Sequence, residues 1–139
     1  MKQTKSTKAN DIKREWHLKD VKNQILGRSA SDIALLLMGK NKTNFVRNLD
    51  LGDYVVVINA KDVRVTGNKE NLKKYFRHSG YPGGFKAETL KELRNRKPQD
   101  LIKHAVSGML PQNKLKAKML KRLYVFPDKE HNYKDKFIK

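Results

Sequence analysis

The chain contains no cysteine, which excludes a disulfide framework and thiolate metal sites and fits a reducing compartment. It also lacks any long apolar run: the longest, Ile33 to Met38 and Tyr54 to Ile58, fall far short of the ~20 residues of a membrane-spanning helix. The N-terminal stretch up to Glu15 is polar and basic, without the apolar centre of a secretory signal. It is rich in lysine and carries Asp11 and Glu15, unlike an arginine-rich, acid-poor transit peptide. Acidic residues are scarce throughout. Fourteen Asp and Glu stand against 32 Lys and Arg, giving a formal charge of +18 on 139 residues.

An excess of that size repels itself in isolation and requires a neutralising partner. Nucleic acid and an anionic membrane surface are the candidates, and without an apolar span nucleic acid ranks first. The length suits one domain, and 37% hydrophobic residues suffice for one core. Catalytic signatures are missing too. His17, His78, His104 and His131 show no metal-ligand spacing. Neither Gly-x-Ser-x-Gly nor a Gly-x-x-x-x-Gly-Lys phosphate loop occurs. No enzymatic activity, metal or cofactor is expected.

What the chain does have is Tyr75 to Phe85, Tyr-Phe-Arg-His-Ser-Gly-Tyr-Pro-Gly-Gly-Phe. A glycine- and proline-rich loop can bring its main chain close to a large rigid partner. Arg77 and His78 add cationic or hydrogen-bonding groups, while Tyr81 and Phe85 offer faces for stacking on bases. A second block runs from Gln112 to Leu123 without an acid. Lys114, Lys118 and Lys121 fall at helical spacing, with Lys116 and Arg122 nearby. Uncompensated cations in so short a stretch point to phosphate binding.

Strands are expected at Trp16 to Val21, at the β-branched run Tyr54 to Ile58, at Val63 to Val65 and at Leu123 to Phe126. Tyr54 to Ile58 is apolar on both sides, as in a strand covered by helices on either face. Ser29 and Asp32 resemble a capping box for a helix carrying Ile33, Leu36 and Leu37 and stopped by Gly39. A short helix capped by Asn68 leads to Lys73 and Lys74. Further helices carry Leu90 and Leu93, then Pro98 to Met109, then Leu115 to Leu120 after Asn113. Trp16, Tyr54 and Tyr124 are assigned to packing. The pattern predicts an α/β domain with a mainly parallel, four-stranded sheet. Residues 1-15 are read as a basic arm that orders on RNA, 16-131 as the domain and 132-139 as a basic tail.

Arg77 to Gly84, and Gly108-Met109-Leu110-Pro111 followed by Asn113, resemble the bacterial large-subunit ribosomal protein L-thirteen family. Leu26-Gly27-Arg28 and Asn59-Ala60 are similar to the same family, and the resemblance runs from Trp16 to about His131. It departs at Pro127-Asp128 and at Arg47-Asn48. The resemblance implies a three-layer α/β/α domain that binds ribosomal RNA as a structural and assembly component of the large subunit, beside neighbouring ribosomal proteins in the cytoplasm or an organelle. It implies no catalysis and no membrane; no homo-oligomer is expected.

The candidate RNA-binding set follows the charge and the loop: Arg28, Lys40, Lys42, Arg47, Lys69, Lys73, Lys74, Arg77, His78, Tyr81, Gly83, Gly84, Lys86, Arg94, Arg96, Lys97, Lys114, Lys116, Lys118, Lys121 and Arg122. Two rivals remain: a free-standing RNA-binding or regulatory protein acting outside the ribosome, and an RNA-processing enzyme using His78. The second would need another acid–base group beside that histidine.

Overall fold

The structure is a computed structural model, and it describes residues 6–137. Strand β1 (Trp16–Asp20) is followed by helix α1 (Leu26–Met38), which crosses over to strand β2 (Tyr54–Ile58) lying parallel beside β1. Then come α2 (Lys69–Leu72), an antiparallel pair β3 (Lys74–His78) and β4 (Phe85–Thr89), and the helices α3 (Leu90–Arg96), α4 (Pro98–Met109) and α5 (Lys116–Leu120). Strand β5 (Leu123–Val125) closes the sheet by pairing parallel to β2, giving the order β1-β2-β5. The central position of β2 explains its unbroken apolar sequence: Val55, Val56 and Val57 are all fully buried.

One face of the sheet, carrying Val55, Val57, Leu123 and Val125, packs on the helices. Helix α1 contributes Leu26, Ala30, Ile33, Ala34 and Leu37, and α4 contributes Leu101, Ile102 and Val106, each set falling on one face of its helix. The opposite face departs from the expected third layer. There Trp16 stacks on Tyr54 at 4.4 Å and on Tyr124 at 5.9 Å between ring centres. Tyr133 lies over Trp16 at 5.3 Å, and Phe137 meets it edge-on at 6.4 Å. Among the described residues, aromatic rings of the C-terminal segment lie over this face. Tyr133 and Phe137 belong to the segment read as a basic tail.

The sheet has three strands among the described residues, not four. Asn59 leaves β2 with a left-handed φ of 61°, and its side chain donates to Asp20 at 2.8 Å. The chain then makes a short 3-10 turn, Ala60–Asp62, and Val63 drops into the core. Arg64 forms only an isolated parallel bridge with Ile25. That bridge also corrects the start of α1. The Leu26 N–H donates to the Arg64 carbonyl at 2.8 Å, so the helix begins three residues before Ser29. Ser29 is buried inside it, its hydroxyl donating to Gln24 at 3.0 Å. The other end of α1 is as expected: Gly39 has a φ of 73°, and the Lys40 N–H reaches the Leu35 carbonyl in a Schellman arrangement.

The expected arm, residues 1-15, lies partly outside the described residues. Of the remainder, Thr7 donates to the Asn44 carbonyl at 2.9 Å and Arg14 to those of Gly52 and Asp50 at 2.6 and 3.1 Å. The segment therefore runs along the loop before β2.

Candidate nucleic-acid interface

The short helix expected after Asn68 is present as α2, and through Lys73 it leads into the antiparallel hairpin β3–β4, where the sequence suggested only a loop. The glycine-rich turn is the hairpin's tip. Ser79 N–H donates to the Gly84 carbonyl at 3.3 Å and Gly84 N–H to that of Tyr81 at 2.9 Å. A Cβ on Gly84 would stand 2.1 Å from the Ser79 hydroxyl and 2.9 Å from the Tyr81 carbonyl, so this position admits no side chain without rearrangement. Gly80 N–H donates to His78 Nδ1 at 2.9 Å. That bond places the proton of a neutral His78 ring on Nε2, leaving an outward donor on an exposed residue.

Strand alternation sorts the hairpin's side chains. Arg77 is directly opposite Lys86, on the same face as Tyr75 and Glu88. The hydrogen bonds of Glu88 go to Arg96, at 3.1 and 2.6 Å, and Arg77 acts on it only as a nearby charge. The Arg96 hydrogen bond holds the Glu88 carboxyl below its ordinary range, and the same contact raises the Arg96 guanidinium. On the other face Phe76 and Phe85 stack diagonally, 5.6 Å apart and 21° from parallel. They remain 66% and 61% exposed, and Tyr81 at the tip is 76% exposed. Sequence reading singled out Tyr81 and Phe85 and passed over Phe76. The alternation of Tyr75, Phe76 and Arg77 before the turn was the signal available for it.

Not every candidate cation faces outward. Arg122 is only 6% exposed; its Nη1 and Nη2 lie 2.6 and 2.5 Å from the two Asp50 oxygens, and Nη2 also donates to the Leu37 carbonyl at 3.3 Å. Lys42 is 2.5 Å from Asp53 and also donates to the carbonyls of Lys13 and Leu51. The charges of both candidates are matched by carboxylates within the fold. Arg94 stands 3.2 Å from Glu70, and Arg96 is committed to Glu88 as described. Burial alone would raise the Asp53 carboxyl. Lys42, the Glu15 N–H and His17 at 3.0 Å outweigh it and hold the group below its ordinary range.

Arg28, Lys40, Arg47, Lys69, Lys73, Lys74, Arg77, Lys86, Lys97, Lys114, Lys118 and Lys121 are exposed, and among the described residues none meets a carboxylate within 4.0 Å. Gly83 is exposed in the hairpin tip, and Lys116 is partly buried, bonded to Gln112 at 2.9 Å. Helix α5 spans only five residues, so Lys114 precedes it and Lys121 follows it, while Met119 is buried. Among the described residues no group of three or more His, Asp or Glu could hold a metal ion, and no helix is long and apolar enough to cross a membrane.

The family model for ribosomal protein L13 matches residues 14–132. Curated relatives named large ribosomal subunit protein uL13 align along nearly the whole chain. That of a Dehalococcoides mccartyi strain is 53% identical over 128 residues, 92% of this chain and 90% of the relative. That of a Nitratiruptor species is 51% identical over 131 residues, 94% of each. The relative from Geobacter sulfurreducens is 48% identical over 131 residues, 94% of this chain and 92% of its own. The glycine-rich hairpin tip, the helix end at Gly108 to Pro111 and a matching model over most of the length agree: this chain belongs to the ribosomal protein L13 family.

Proposed function

We propose that the chain is a structural, non-catalytic constituent of the large ribosomal subunit, binding ribosomal RNA and supporting assembly beside neighbouring ribosomal proteins in the cytoplasm. The pairing of Arg77 with Lys86 carries this reading. Like charges directly opposed on neighbouring strands destabilise a free hairpin. A phosphate between them reverses the sign of that term. Exposed Phe76, Phe85 and Tyr81 supply stacking surfaces beside the cations, the combination used on unpaired RNA bases. Lys114, Lys118 and Lys121 extend the positive surface on another element. The residues before Arg14 add basic charge that settles on RNA.

The family alignment over most of the chain supports assembly into the particle rather than action outside it. The test is cosedimentation with large subunits through a high-salt wash, together with the salt dependence of RNA binding. Contact with ~6 phosphates gives a slope of log affinity against log salt of about −4 to −5. Release from washed subunits together with a slope near zero overturns the reading.

A further inference from the structure

A groove of about 290 Å³ is lined by the end of α1, the loop before β2, the segment between α4 and α5, and Met119 of α5. Met38, Phe45, Leu49 and Met119 form its apolar floor, and Lys40 and Arg47 stand at its rim. Its volume lies near the lower limit for small-ligand sites, roughly 300 Å³. Nothing in the chain's function as a set of phosphate contacts requires an apolar hollow here. Resting on the RNA-binding reading above, we propose that this groove receives one unpaired nucleobase of the bound RNA, while Lys40 and Arg47 hold the adjoining phosphates.

Three observations favour a base. Lys40 and Arg47 are exposed, and among the described residues neither meets a carboxylate, so the rim is complementary to an anion attached to an apolar body. A nucleotide has that shape: a flat, stackable ring joined to a charged backbone. Phe45 and Arg47 are the side-chain types on which splayed-out bases stack. Asn113 also borders the groove; its Oδ1 accepts from the Leu115 N–H at 3.1 Å, which leaves its amide N–H groups for the edge of a base. The exposed Lys114 follows directly and leads on to Lys118 and Lys121. No acid interrupts the chain between Asn113 and Lys121.

The experiment places a photoreactive benzophenone amino acid at position 45 of the full chain and irradiates assembled large subunits. Crosslinks confined to one nucleotide, or to two adjacent ones, of the large-subunit RNA are expected. In parallel, chemical probing compares subunits carrying the unaltered chain with subunits carrying Phe45→Ala. The crosslinked base becomes roughly tenfold more reactive in the variant, the scale set by losing one base–aromatic stack. Crosslinks to a protein show that the groove holds a neighbour's apolar side chain and overturn the proposal. Scattered or absent RNA crosslinks overturn it as well, as does unchanged base reactivity in incorporated Phe45→Ala. If Phe45→Ala fails to assemble, the crosslink alone decides. Continued cosedimentation with diffuse crosslinks would remove the base pocket and leave the RNA-binding reading standing.

Discussion

Arg122 and Asp50 lie 72 positions apart in sequence and close a two-pronged pair at 2.6 and 2.5 Å, one residue before β5 and just before β2. The pair is held against the end of α1, where Arg122 also reaches the Leu37 carbonyl. Gly52 makes that approach possible, since a Cβ there would stand 1.6 Å from the same carbonyl. Removing Asp50 strands the buried Arg122 guanidinium, and removing Arg122 leaves the largely buried Asp50 with only Arg14, 3.8 Å away. Arg122→Ala or Asp50→Ala should each lower unfolding free energy by about 3–5 kcal/mol. Urea denaturation of the singles and the double variant checks this. The double variant should cost less than the sum of the singles, because neither charge is then stranded.

Asp53 gives the stability a pH dependence of known sign. Its folded-state carboxyl is held below 3.8, its ordinary value, by Lys42, the Glu15 N–H and His17 acting against burial. The stabilisation is therefore complete above that ordinary value and lost as pH falls through the folded one. Urea midpoints measured from about pH 5 down to about pH 2 should fall more steeply for the unaltered chain than for Asp53→Asn. Parallel curves would show that Asp53 contributes nothing to acid unfolding.

Residue chemistry foreshadowed the elements whose cause is local. The run Tyr54 to Ile58 became the buried central strand, Gly39 stopped α1, and Pro98 opened α4. What escaped was set by partners distant in sequence. The start of α1 depends on Arg64, and Arg122 looked like one more cation because Asp50 is remote along the chain. The fourth strand failed because Asn59 turns the chain out of the sheet. In the candidate site, exposure of the hairpin tip was foreseeable from its glycines and proline. The orientation of Phe76 and the face shared by Arg77 and Lys86 required the register of the two strands.

Cations that serve RNA and cations that serve the fold should separate cleanly in their salt response. Changing Lys114, Lys118 and Lys121 together to Gln should flatten the slope of log affinity against log salt by about 2 to 3 and leave the melting temperature unchanged. Arg122→Ala should do the opposite, lowering the melting temperature sharply with little change in slope for the fraction that remains folded. Filter binding at several salt concentrations, with thermal melts of each variant, measures both.

Gly84→Val tests the shape of the hairpin tip apart from its charge. A side chain would collide with the Ser79 hydroxyl and the Tyr81 carbonyl, which closes the turn. The core lies elsewhere, so circular dichroism should be unchanged while the share of variant in large subunits falls in cells that also make the unaltered chain. Equal incorporation of the two chains would mean that the tip touches nothing.

The opposed pair Arg77 and Lys86 should move stability and binding in opposite directions. In the free chain the two cations face each other across β3 and β4, with Glu88 already bound by Arg96. Replacing Arg77 by Thr removes like-charge repulsion and places a β-branched residue in the strand, so the free protein should gain about 0.2–1 kcal/mol. On RNA the same change removes a charge-assisted bond to phosphate, weakening binding by about 1.5–3 kcal/mol. Lys86→Thr should behave likewise, and the double variant should gain less stability than the two singles added, since one repulsion cannot be relieved twice. Thermal melts of the free protein and RNA titrations at fixed salt supply the two readouts. A variant that loses affinity and stability together would mean that Arg77 supports the hairpin itself, and the opposed cations would then say nothing about a polyanion.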